Sequence, residues 1–219
     1  MKIFIDFDDV IFNTKEFKTG LRTVFSNQGI PAKWYDKTYY GMFDTGLIKM
    51  HDPDVQITEL KKVCNFNKDD LARKVADFMK DAPSFVFSDV CRFIGAVRAE
   101  NISILSYGNK LFQEKKITCS GIGKKVSHVY VTDVSKVDVL SAVLQKEKIL
   151  SSEQVFFIDD RLEQIQGIKE MFPGIVTILL TRPEGRYQEM RKDSTCDFEA
   201  RNLGQVGEII KKYEYNFLK

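Results

Sequence analysis

The stretch IFIDFDDVI, residues 3–11, decides the fold of this chain. It begins with three apolar residues that favour a buried β-strand, and carboxylates follow at Asp6, Asp8 and Asp9. In a parallel sheet, ligands bind at the carboxyl ends of the strands. Carboxylates this close repel one another unless a proton or a cation offsets their charge, and oxygen ligands suit a hard ion such as Mg²⁺. The competing interpretation is an ordinary turn after a strand, where aspartate is common.

Further apolar runs along the chain predict more strands, at Ile102–Leu105, Val129–Val131, Val155–Ile158 and Ile175–Leu180. Amphipathic helical patterns separate most of these runs, at Ser88–Glu100, Lys136–Leu150, Leu162–Met171 and Gln205–Tyr213. Alternating strands and helices are typical of a parallel sheet that helices cover on both faces. The sequence therefore predicts an α/β fold with a doubly wound, Rossmann-like parallel sheet.

Residues 15–87 do not follow this alternation of strands and helices, because they hold helical patterns without a convincing buried strand between them. Apolar residues share helical faces at Phe17, Leu21, Val24 and Phe25, at Ile57, Leu60 and Cys64, and at Leu71, Val75, Phe78 and Met79. We predict a core domain of residues 1–14 and 88–219, with residues 15–87 as an inserted α-helical cap. The aromatic stretch KWYDKTYYG, residues 33–41, is either a substrate-facing loop or part of the inserted module's own core.

Composition excludes only a few classes of partner. The 219 residues carry 33 basic and 31 acidic side chains, without a basic block of the kind that binds nucleic acid or anionic membranes. The four cysteines lie far apart and form no C-x-x-C pair, which argues against a zinc or redox motif and favours reduced thiols. The amino terminus lacks the apolar stretch of a signal peptide, and no segment approaches the length of a membrane span. We expect a cytoplasmic protein without a nucleic-acid or membrane partner.

A second predicted strand also ends in paired carboxylates, in VFFIDDRLE at residues 155–163. Asp160 and Glu163 match a D-x-x-E capping box, so Asp160 has a purely structural interpretation as a helix cap. That interpretation leaves Asp159 without a role at the end of a buried strand. Beside the cluster at residues 6–9, we favour metal binding by this pair.

Two polar motifs follow the remaining central strands. In ISILSYGN, residues 102–109, the Ser106 hydroxyl and the backbone N–H groups around Tyr107 are placed to hold a phosphoryl oxygen, although Ser before Gly-Asn is equally common in turns. In TDVSKVD, residues 132–138, Ser135 is predicted to cap a helix whose first turn carries Lys136. A lysine there opposes the helix dipole, which is unfavourable unless the lysine holds an anion.

In order and in position, these four motifs resemble those of the haloacid dehalogenase superfamily. Residues 6–10 are similar to its D-x-D-x-T/V motif, while Ser106, Lys136 and the Asp159-Asp160 pair are similar to its second, third and fourth motifs. The inserted module resembles the cap that the family carries between the first and second motifs, as in its capped phosphatases. Asp9 departs from the pattern, since many relatives with small-molecule substrates have glycine there.

This resemblance implies a Mg²⁺-dependent phosphatase that works through an aspartyl-phosphate. Asp6 would be the nucleophile, and Asp8 would protonate the leaving oxygen and then deprotonate the attacking water. The Asp6 carboxylate, the Asp8 backbone carbonyl and Asp160 would hold the Mg²⁺. Asp159 would be another ligand or an acceptor for metal-bound water. The groups implied for the phosphoryl oxygens are Ser106, Tyr107 and Lys136.

Two other functions stay open on the sequence. A phosphotransferase of the phosphomutase type would use the same aspartyl-phosphate, and a non-catalytic homologue would keep only the fold. Asp8 argues against a dehalogenase, because the superfamily's dehalogenases lack an acid/base at that position. A capped site implies a small phosphorylated metabolite, and the basic cap residues that are candidates for binding it are Lys18, Arg22, Lys49 and His51. His51 precedes Asp52-Pro53, which is more typical of a surface turn than of a ligand.

Overall fold

The computed structural model describes residues 1–44, 50–149 and 153–217. Its strands are β1 (Lys2–Ile5), β2 (Ile102–Tyr107), β3 (His128–Thr132), β4 (Val155–Asp159), β5 (Val176–Leu180) and β6 (Phe198–Ala200). They form one sheet in the order β3-β2-β1-β4-β5-β6, and every neighbouring pair is parallel. The predicted doubly wound α/β sheet is therefore confirmed.

Nine α-helices lie within the described ranges: α1 (Thr14–Asn27), α2 (Ala32–Asp44), α3 (Pro53–Lys61), α4 (Lys68–Lys80), α5 (Val90–Val97), α6 (Lys110–Cys119), α7 (Lys136–Lys146), α8 (Leu162–Met171) and α9 (Leu203–Phe217). Helices α5, α6 and α9 cover one face of the sheet, and α7 and α8 cover the other. Among these helices, none is long and apolar enough to cross a membrane. The two-sided cover is what buries β4 and β5 completely.

Two elements of the core were not predicted. Strand β6 has only three residues at the edge of the sheet, too few to show an alternating pattern. Helix α6 shows little amphipathicity, because two of its buried side chains, Gln113 and Lys116, are polar. Both side chains face the candidate site described below. This helix face is therefore polar although it is buried.

Helices α1 to α4 follow β1 and precede β2, as predicted for an inserted module. Their interior is aromatic, since Phe17 packs against Phe12, Phe78 and Phe85 with ring centroids 5.1–5.5 Å apart. These side chains belong to the same hydrophobic cluster as one face of the sheet, so the insert shares its core with the sheet. The domain boundaries at residues 14/15 and 87/88 stay a prediction.

The aromatic stretch at residues 33–41 lies in α2. Tyr35 and Tyr39 are buried, and Tyr35 packs edge-on against Phe25 of α1 with centroids 5.1 Å apart. Tyr40 is exposed. The predicted packing role holds for the two buried tyrosines, while Tyr39 and Tyr40 also line the pocket described below.

The register of the central strands brings the acidic motifs together. The strand order reverses at β1: β2 and β3 are added on one side of it, and β4, β5 and β6 on the other. Ligands bind at such a switch point in doubly wound sheets. Ile5 is paired with Ile158, and the Asp6 N–H donates to the Ile158 carbonyl at 2.9 Å. Asp6 consequently lies alongside Asp159 at the carboxyl edge of the sheet.

Arg182, directly after β5, ties the insert to the sheet. Its guanidinium forms two hydrogen bonds to Asp89, at 3.1 and 2.8 Å, and its Nε donates to the Val10 carbonyl at 2.9 Å. Asp89 also accepts a hydrogen bond from the Leu203 N–H at 2.8 Å. One buried arginine thus holds the segments that enter and leave the insert beside the start of α9.

We expect Arg182→Met to lower the free energy of unfolding by about 3 kcal/mol, because it breaks a bidentate, largely buried ion pair and leaves Asp89 without its cation. Urea denaturation measures this loss. Arg191→Met is the matched control, since Arg191 is exposed and hydrogen-bonds only to nearby backbone carbonyls, and it should change stability by less than about 0.5 kcal/mol. Equal stability of the two variants would contradict the role assigned to Arg182.

Candidate active site

Three buried carboxylates form the centre of the site. Asp6, Asp159 and Asp160 each place a carboxylate oxygen within 4.8 Å of the others. Neither oxygen of Asp160 has a hydrogen-bond partner among the described residues. Both oxygens of Asp159 have one, since Oδ2 accepts from Lys136 at 2.6 Å and Oδ1 from the Arg161 N–H at 3.0 Å. The capping-box interpretation of Asp160 is therefore wrong, because its carboxylate caps no backbone N–H.

Lys136 neutralises part of this cluster. It begins helix α7, behind the predicted N-cap Ser135, whose hydroxyl accepts from the Val137 N–H at 3.1 Å. The buried Lys136 ammonium lies 2.7 Å from Asp6 Oδ1 and 2.6 Å from Asp159 Oδ2. Burial alone would lower the pKa of Lys136, but the charges of Asp159 and Asp6 outweigh burial and raise it. The predicted anion next to this lysine is thus a pair of carboxylates.

Two of the three carboxylates of the cluster, Asp6 and Asp160, have raised pKa values. Burial raises the pKa of Asp6, and the charges of Asp159 and Asp8 add to the effect against the opposing Lys136. Burial and the charges of Asp159 and Asp6 likewise raise the pKa of Asp160 well above its ordinary value. A bound cation reverses this effect, because it stabilises the charged form of each carboxylate. Unpartnered carboxylate oxygens at this spacing fit a hard divalent cation such as Mg²⁺.

Asp8 lies apart from that cluster and is held by three other side chains. Its Oδ1 accepts hydrogen bonds from Lys116 at 2.7 Å and Thr14 at 2.5 Å, and its Oδ2 accepts from the Gln113 amide at 2.7 Å. Burial would raise the pKa of Asp8, but the charges of Lys116 and Arg186 and the hydrogen bonds from Lys116 and Thr14 hold it well below its ordinary range. These three donors hold the Asp8 carboxylate ionised and in one orientation.

Ser106 is fully buried behind Gln113. Its hydroxyl accepts a hydrogen bond from the Gln113 amide at 2.7 Å, so one amide group joins Ser106 to Asp8. Gly108 makes room for this amide, because a Cβ there would lie 3.3 Å from the Gln113 side chain. Tyr107, between them in sequence, is 38% exposed and lines the adjoining pocket.

Asp9 has a left-handed backbone with φ 55°, a conformation that favours glycine and that aspartate tolerates better than most residues. This explains the glycine expected there from the resemblance. The buried Asp9 carboxylate forms an ion pair with Arg186 and accepts a hydrogen bond from the Thr14 N–H at 3.2 Å. The left-handed turn thereby points a carboxylate at the loop after β5.

The described carboxylates of the site outnumber its paired cations. Lys116 is paired with Asp8, and Arg186 with Asp9. Lys136 is shared between Asp6 and Asp159, and Asp160 has no cation in contact. With every carboxylate ionised, five carboxylates would face three contacting cations, which is a formal excess of two negative charges. A divalent cation matches that excess.

A pocket of 320 Å³ opens beside Asp8, between the insert and the sheet edge. Its apolar wall is formed by Phe17, Leu21, Tyr39, Tyr40, Met50 and Phe112, and its polar lining includes Thr14, Gln113, Lys116, Arg186, Lys18 and His51. Of the basic cap residues proposed for substrate binding, Lys18 and His51 line the pocket. Arg22 is paired with Asp36 away from it, at 2.8 Å, and Lys49 lies outside the described residues.

The surface-turn prediction for His51 is wrong. His51 is partly buried, its ring packs against Tyr39 with centroids 4.3 Å apart, and its Nε2 lies 2.8 Å from the Gln56 side-chain oxygen. Burial lowers the pKa of His51 to about 4, against the opposing effect of the Gln56 hydrogen bond. His51 therefore lines the pocket as a neutral side chain.

Thr14, Gln113, Lys116 and Arg186 were not identified from the sequence. Thr14 starts α1, Gln113 and Lys116 lie in α6, and Arg186 lies in a loop. Each lies next to the acidic motif only through the tertiary fold, except Thr14, which is six residues from Asp8. The i, i+3 spacing of Gln113 and Lys116 on one helix face was the available signal, and it becomes informative only once that face is known to be buried.

Comparison with known proteins supports the fold. No sequence-family model matches the chain, and no curated protein matches it by sequence. A haloacid dehalogenase-like hydrolase from Burkholderia xenovorans LB400 is structurally similar, with a TM-score of 0.73 and 19% identity over 94% of this chain and 96% of the other. The HAD hydrolase YfnB from Bacillus subtilis, solved with bound magnesium, has a TM-score of 0.64 and 19% identity over 95% and 97%.

A third structural relative is the L-2-haloacid dehalogenase from Xanthobacter autotrophicus, with a TM-score of 0.62 and 15% identity over 96% of this chain and 98% of the other. All three similarities extend over the insert as well as the sheet. The chain therefore has the fold of the haloacid dehalogenase-like hydrolases, with a helical cap inserted after the first strand.

Proposed function

We propose that the protein is a Mg²⁺-dependent phosphatase that hydrolyses small phosphomonoesters through an aspartyl-phosphate on Asp6. The observation that carries this proposal is the buried, unpartnered carboxylate of Asp160 in a cluster that lacks two positive charges. A structural relative bound to magnesium supports the choice of metal. The pocket beside Asp8 supports a small organic leaving group.

Asp6 and Asp160 are the carboxylates proposed to hold Mg²⁺, together with the Asp8 backbone carbonyl. Asp159 is a weaker candidate for a direct ligand, because both of its oxygens already accept hydrogen bonds. We propose that Asp159 positions Lys136 instead. When bound, Mg²⁺ supplies positive charge between the nucleophile and the phosphoryl group and so reduces their repulsion.

In the first step, an Asp6 carboxylate oxygen forms a bond to phosphorus and the bond from phosphorus to the leaving oxygen breaks. Lys136, 2.7 Å from Asp6 Oδ1, lies beside the oxygens on which negative charge accumulates. Ser106 and the backbone at Tyr107 are proposed to hold the same oxygens. Ser106 accepts a hydrogen bond from the Gln113 amide, which leaves its own O–H able to donate to a phosphoryl oxygen that reaches it.

Asp8 is proposed to move the protons of both steps. Its hydrogen bonds from Thr14, Gln113 and Lys116 hold the carboxylate in place beside the pocket. The ionised form takes a proton from the water that attacks the aspartyl-phosphate. The protonated form donates to the leaving oxygen, and a bound phosphoryl anion favours that form because like charge raises the pKa of a carboxyl group.

The same carboxylate favours a phosphatase over a dehalogenase, although dehalogenases are among the structural relatives. A halide leaves without a proton, whereas an alkoxide leaving group needs one. A base that activates water would serve both reactions, so it is the acid function of Asp8 that is specific to the second case. A phosphotransferase would share every step up to the aspartyl-phosphate, and free phosphate as the product distinguishes hydrolysis from transfer.

The setting of this activity is also a proposal. Cys64, Cys91, Cys119 and Cys196 are all free, which agrees with a reducing compartment such as the cytoplasm. The proposed partner is a small phosphorylated metabolite, with neither nucleic acid nor membrane.

A screen of phosphorylated metabolites tests the proposed activity. Released phosphate should depend on Mg²⁺, and Ca²⁺ should support much less turnover, because its larger and looser coordination shell misplaces the nucleophile relative to phosphorus. Comparable turnover with Ca²⁺, or in excess chelator, would count against the assigned metal site.

Asp160→Asn tests the metal site without any substrate. The folded protein raises the pKa of Asp160 above its unfolded value, so at neutral pH folding requires either its protonation or a buried charge, and asparagine removes that cost. We expect the variant to be more stable than the wild type without divalent cations. Mg²⁺ at about 100 times its dissociation constant should stabilise the wild type by about 2.7 kcal/mol and the variant far less.

Thermal unfolding with and without Mg²⁺ measures both effects. Asp133→Asn is the matched control, because Asp133 is exposed and lies just before α7. It should respond to Mg²⁺ as the wild type does. An Asp160→Asn variant with the full Mg²⁺ response would show that the cation binds elsewhere.

Asp6→Asn and Asp8→Asn should differ in chemistry. Asp6→Asn removes the nucleophile, so turnover should fall to background with every substrate. Asp8→Asn leaves the nucleophile in place, so an aryl phosphate with a good leaving group should still phosphorylate Asp6, and the intermediate should persist for lack of a base. Acid quench followed by mass spectrometry of the Asp6 peptide detects the added group. A label on another residue would refute the assignment of Asp6.

A further inference from the structure

Lys18 is a pocket cation that the chemistry proposed above does not use. Its neighbours Lys116 and Arg186 are paired with Asp8 and Asp9, respectively. Lys18 forms no ion pair within the described ranges, and its ammonium lies over the Tyr39 ring, 5.4 Å from the centroid. Burial, together with repulsion from Arg186 and Lys116, lowers its pKa to about 8, against the opposing charges of Asp8 and Asp9. The ammonium is thus partly desolvated, and no described anion is in contact with it.

The position of Lys18 on α1 sets its distance from the reacting groups. Thr14, Lys18 and Leu21 all line the pocket at i, i+4 and i+7, along one face of the helix. The Thr14 hydroxyl contacts Asp8, which is proposed to protonate the leaving oxygen. Lys18 is one helical turn further along, a displacement of about 6 Å. A group that contacts Lys18 therefore belongs to the leaving group and lies several bonds from the scissile oxygen.

The pocket between Asp8 and Lys18 suits an organic spacer. Phe17, Leu21, Tyr39 and Phe112 line it with apolar and aromatic surface. His51 is neutral there and uses its Nε2 on Gln56, so it adds no charge. An apolar wall that ends at an unpaired cation is complementary to a carbon skeleton that ends in an anion.

We propose that the leaving group of the substrate carries a second negative charge, a carboxylate or a further phosphoryl group, and that Lys18 binds it. This inference rests on the proposed phosphatase function. Of the four basic cap residues that the sequence left unranked, Lys49 lies outside the described residues. The inference selects Lys18 from the other three, because Arg22 is already paired with Asp36 and His51 is already bonded to Gln56. It excludes neutral alcohols as the preferred leaving groups.

Matched aryl phosphates test this selectivity. In 4-carboxyphenyl phosphate the carboxylate lies across the ring from the scissile oxygen, whereas 4-carbamoylphenyl phosphate has the same shape without the charge. The bisphosphate of 1,4-dihydroxybenzene supplies a phosphoryl group in place of the carboxylate. The wild type should prefer the charged compounds in kcat/KM by about tenfold or more, as for a hydrogen bond between charged groups. The better of the two charged compounds identifies the anion.

Lys18→Gln should abolish that preference and leave the carbamoyl compound unchanged, while Lys18→Arg should keep most of it. Lys15→Gln is the control, because Lys15 is exposed on the same helix and does not line the pocket. It should behave as the wild type. An equal loss on all three substrates in Lys18→Gln would overturn the proposal, because Lys18 would then bind the transferred phosphoryl group. The absence of any preference in the wild type would also overturn it, while leaving the phosphatase intact.

Binding measurements separate this inference from the proposed activity. Calorimetry with 4-carboxyphenylphosphonate and 4-carbamoylphenylphosphonate needs no turnover. The wild type should bind the charged phosphonate about tenfold more tightly than the neutral one. Lys18→Gln should bind the two phosphonates with equal affinity. If no aryl phosphate is hydrolysed, the phosphatase proposal fails, and this pair of affinities still decides the role of Lys18.

Discussion

The structure depends on how it balances the charge of five carboxylates held at one edge of a parallel sheet. Lys136 can serve only two of them, and it does so because the register of β1 and β4 places Asp6 beside Asp159. The pairs Asp8–Lys116 and Asp9–Arg186 balance two more. Asp160 has no partner in the part of the chain that the structure describes, and burying an unpaired carboxylate is costly unless a cation accompanies it. The fold thus carries a stability cost that a divalent cation would remove.

The surrounding helices and loops supply the partners of these carboxylates. Helix α6 turns polar side chains toward Asp8, α1 adds Thr14, and α7 starts at the lysine that bridges the two central strands. The loop after β5 supplies both Arg182, which ties the two ends of the insert to the sheet, and Arg186, which is paired with Asp9. The insert and the sheet therefore share a hydrophobic core and a network of charges, and residues from both line the pocket between them.

Local patterns in the sequence were enough to predict the sheet, five of its strands and the placement of Asp6 and Asp159 at its carboxyl edge. Each of these features comes from a short motif at a strand end, and parallel strands bring such ends together. The contact of Lys136 with these two carboxylates was not predicted. The partners of Asp8 and Asp9 could not be predicted in the same way, because Lys116 and Arg186 are more than one hundred residues away from them. His51 was misjudged for a related reason: its neighbours Asp52 and Pro53 suggest a turn, while its burial depends on Tyr39 and Phe112. Charged residues become informative only when their burial is known.

Anomalous X-ray scattering from crystals grown with Mn²⁺, an ion with ligand preferences like those of Mg²⁺, tests the charge balance most directly. We expect a single strong peak between the carboxylates of Asp6 and Asp160, with metal–oxygen distances of about 2.1 Å. Lys136 should remain in contact with Asp159. A cluster without a peak at neutral pH would contradict the assignment of a divalent cation to Asp6 and Asp160.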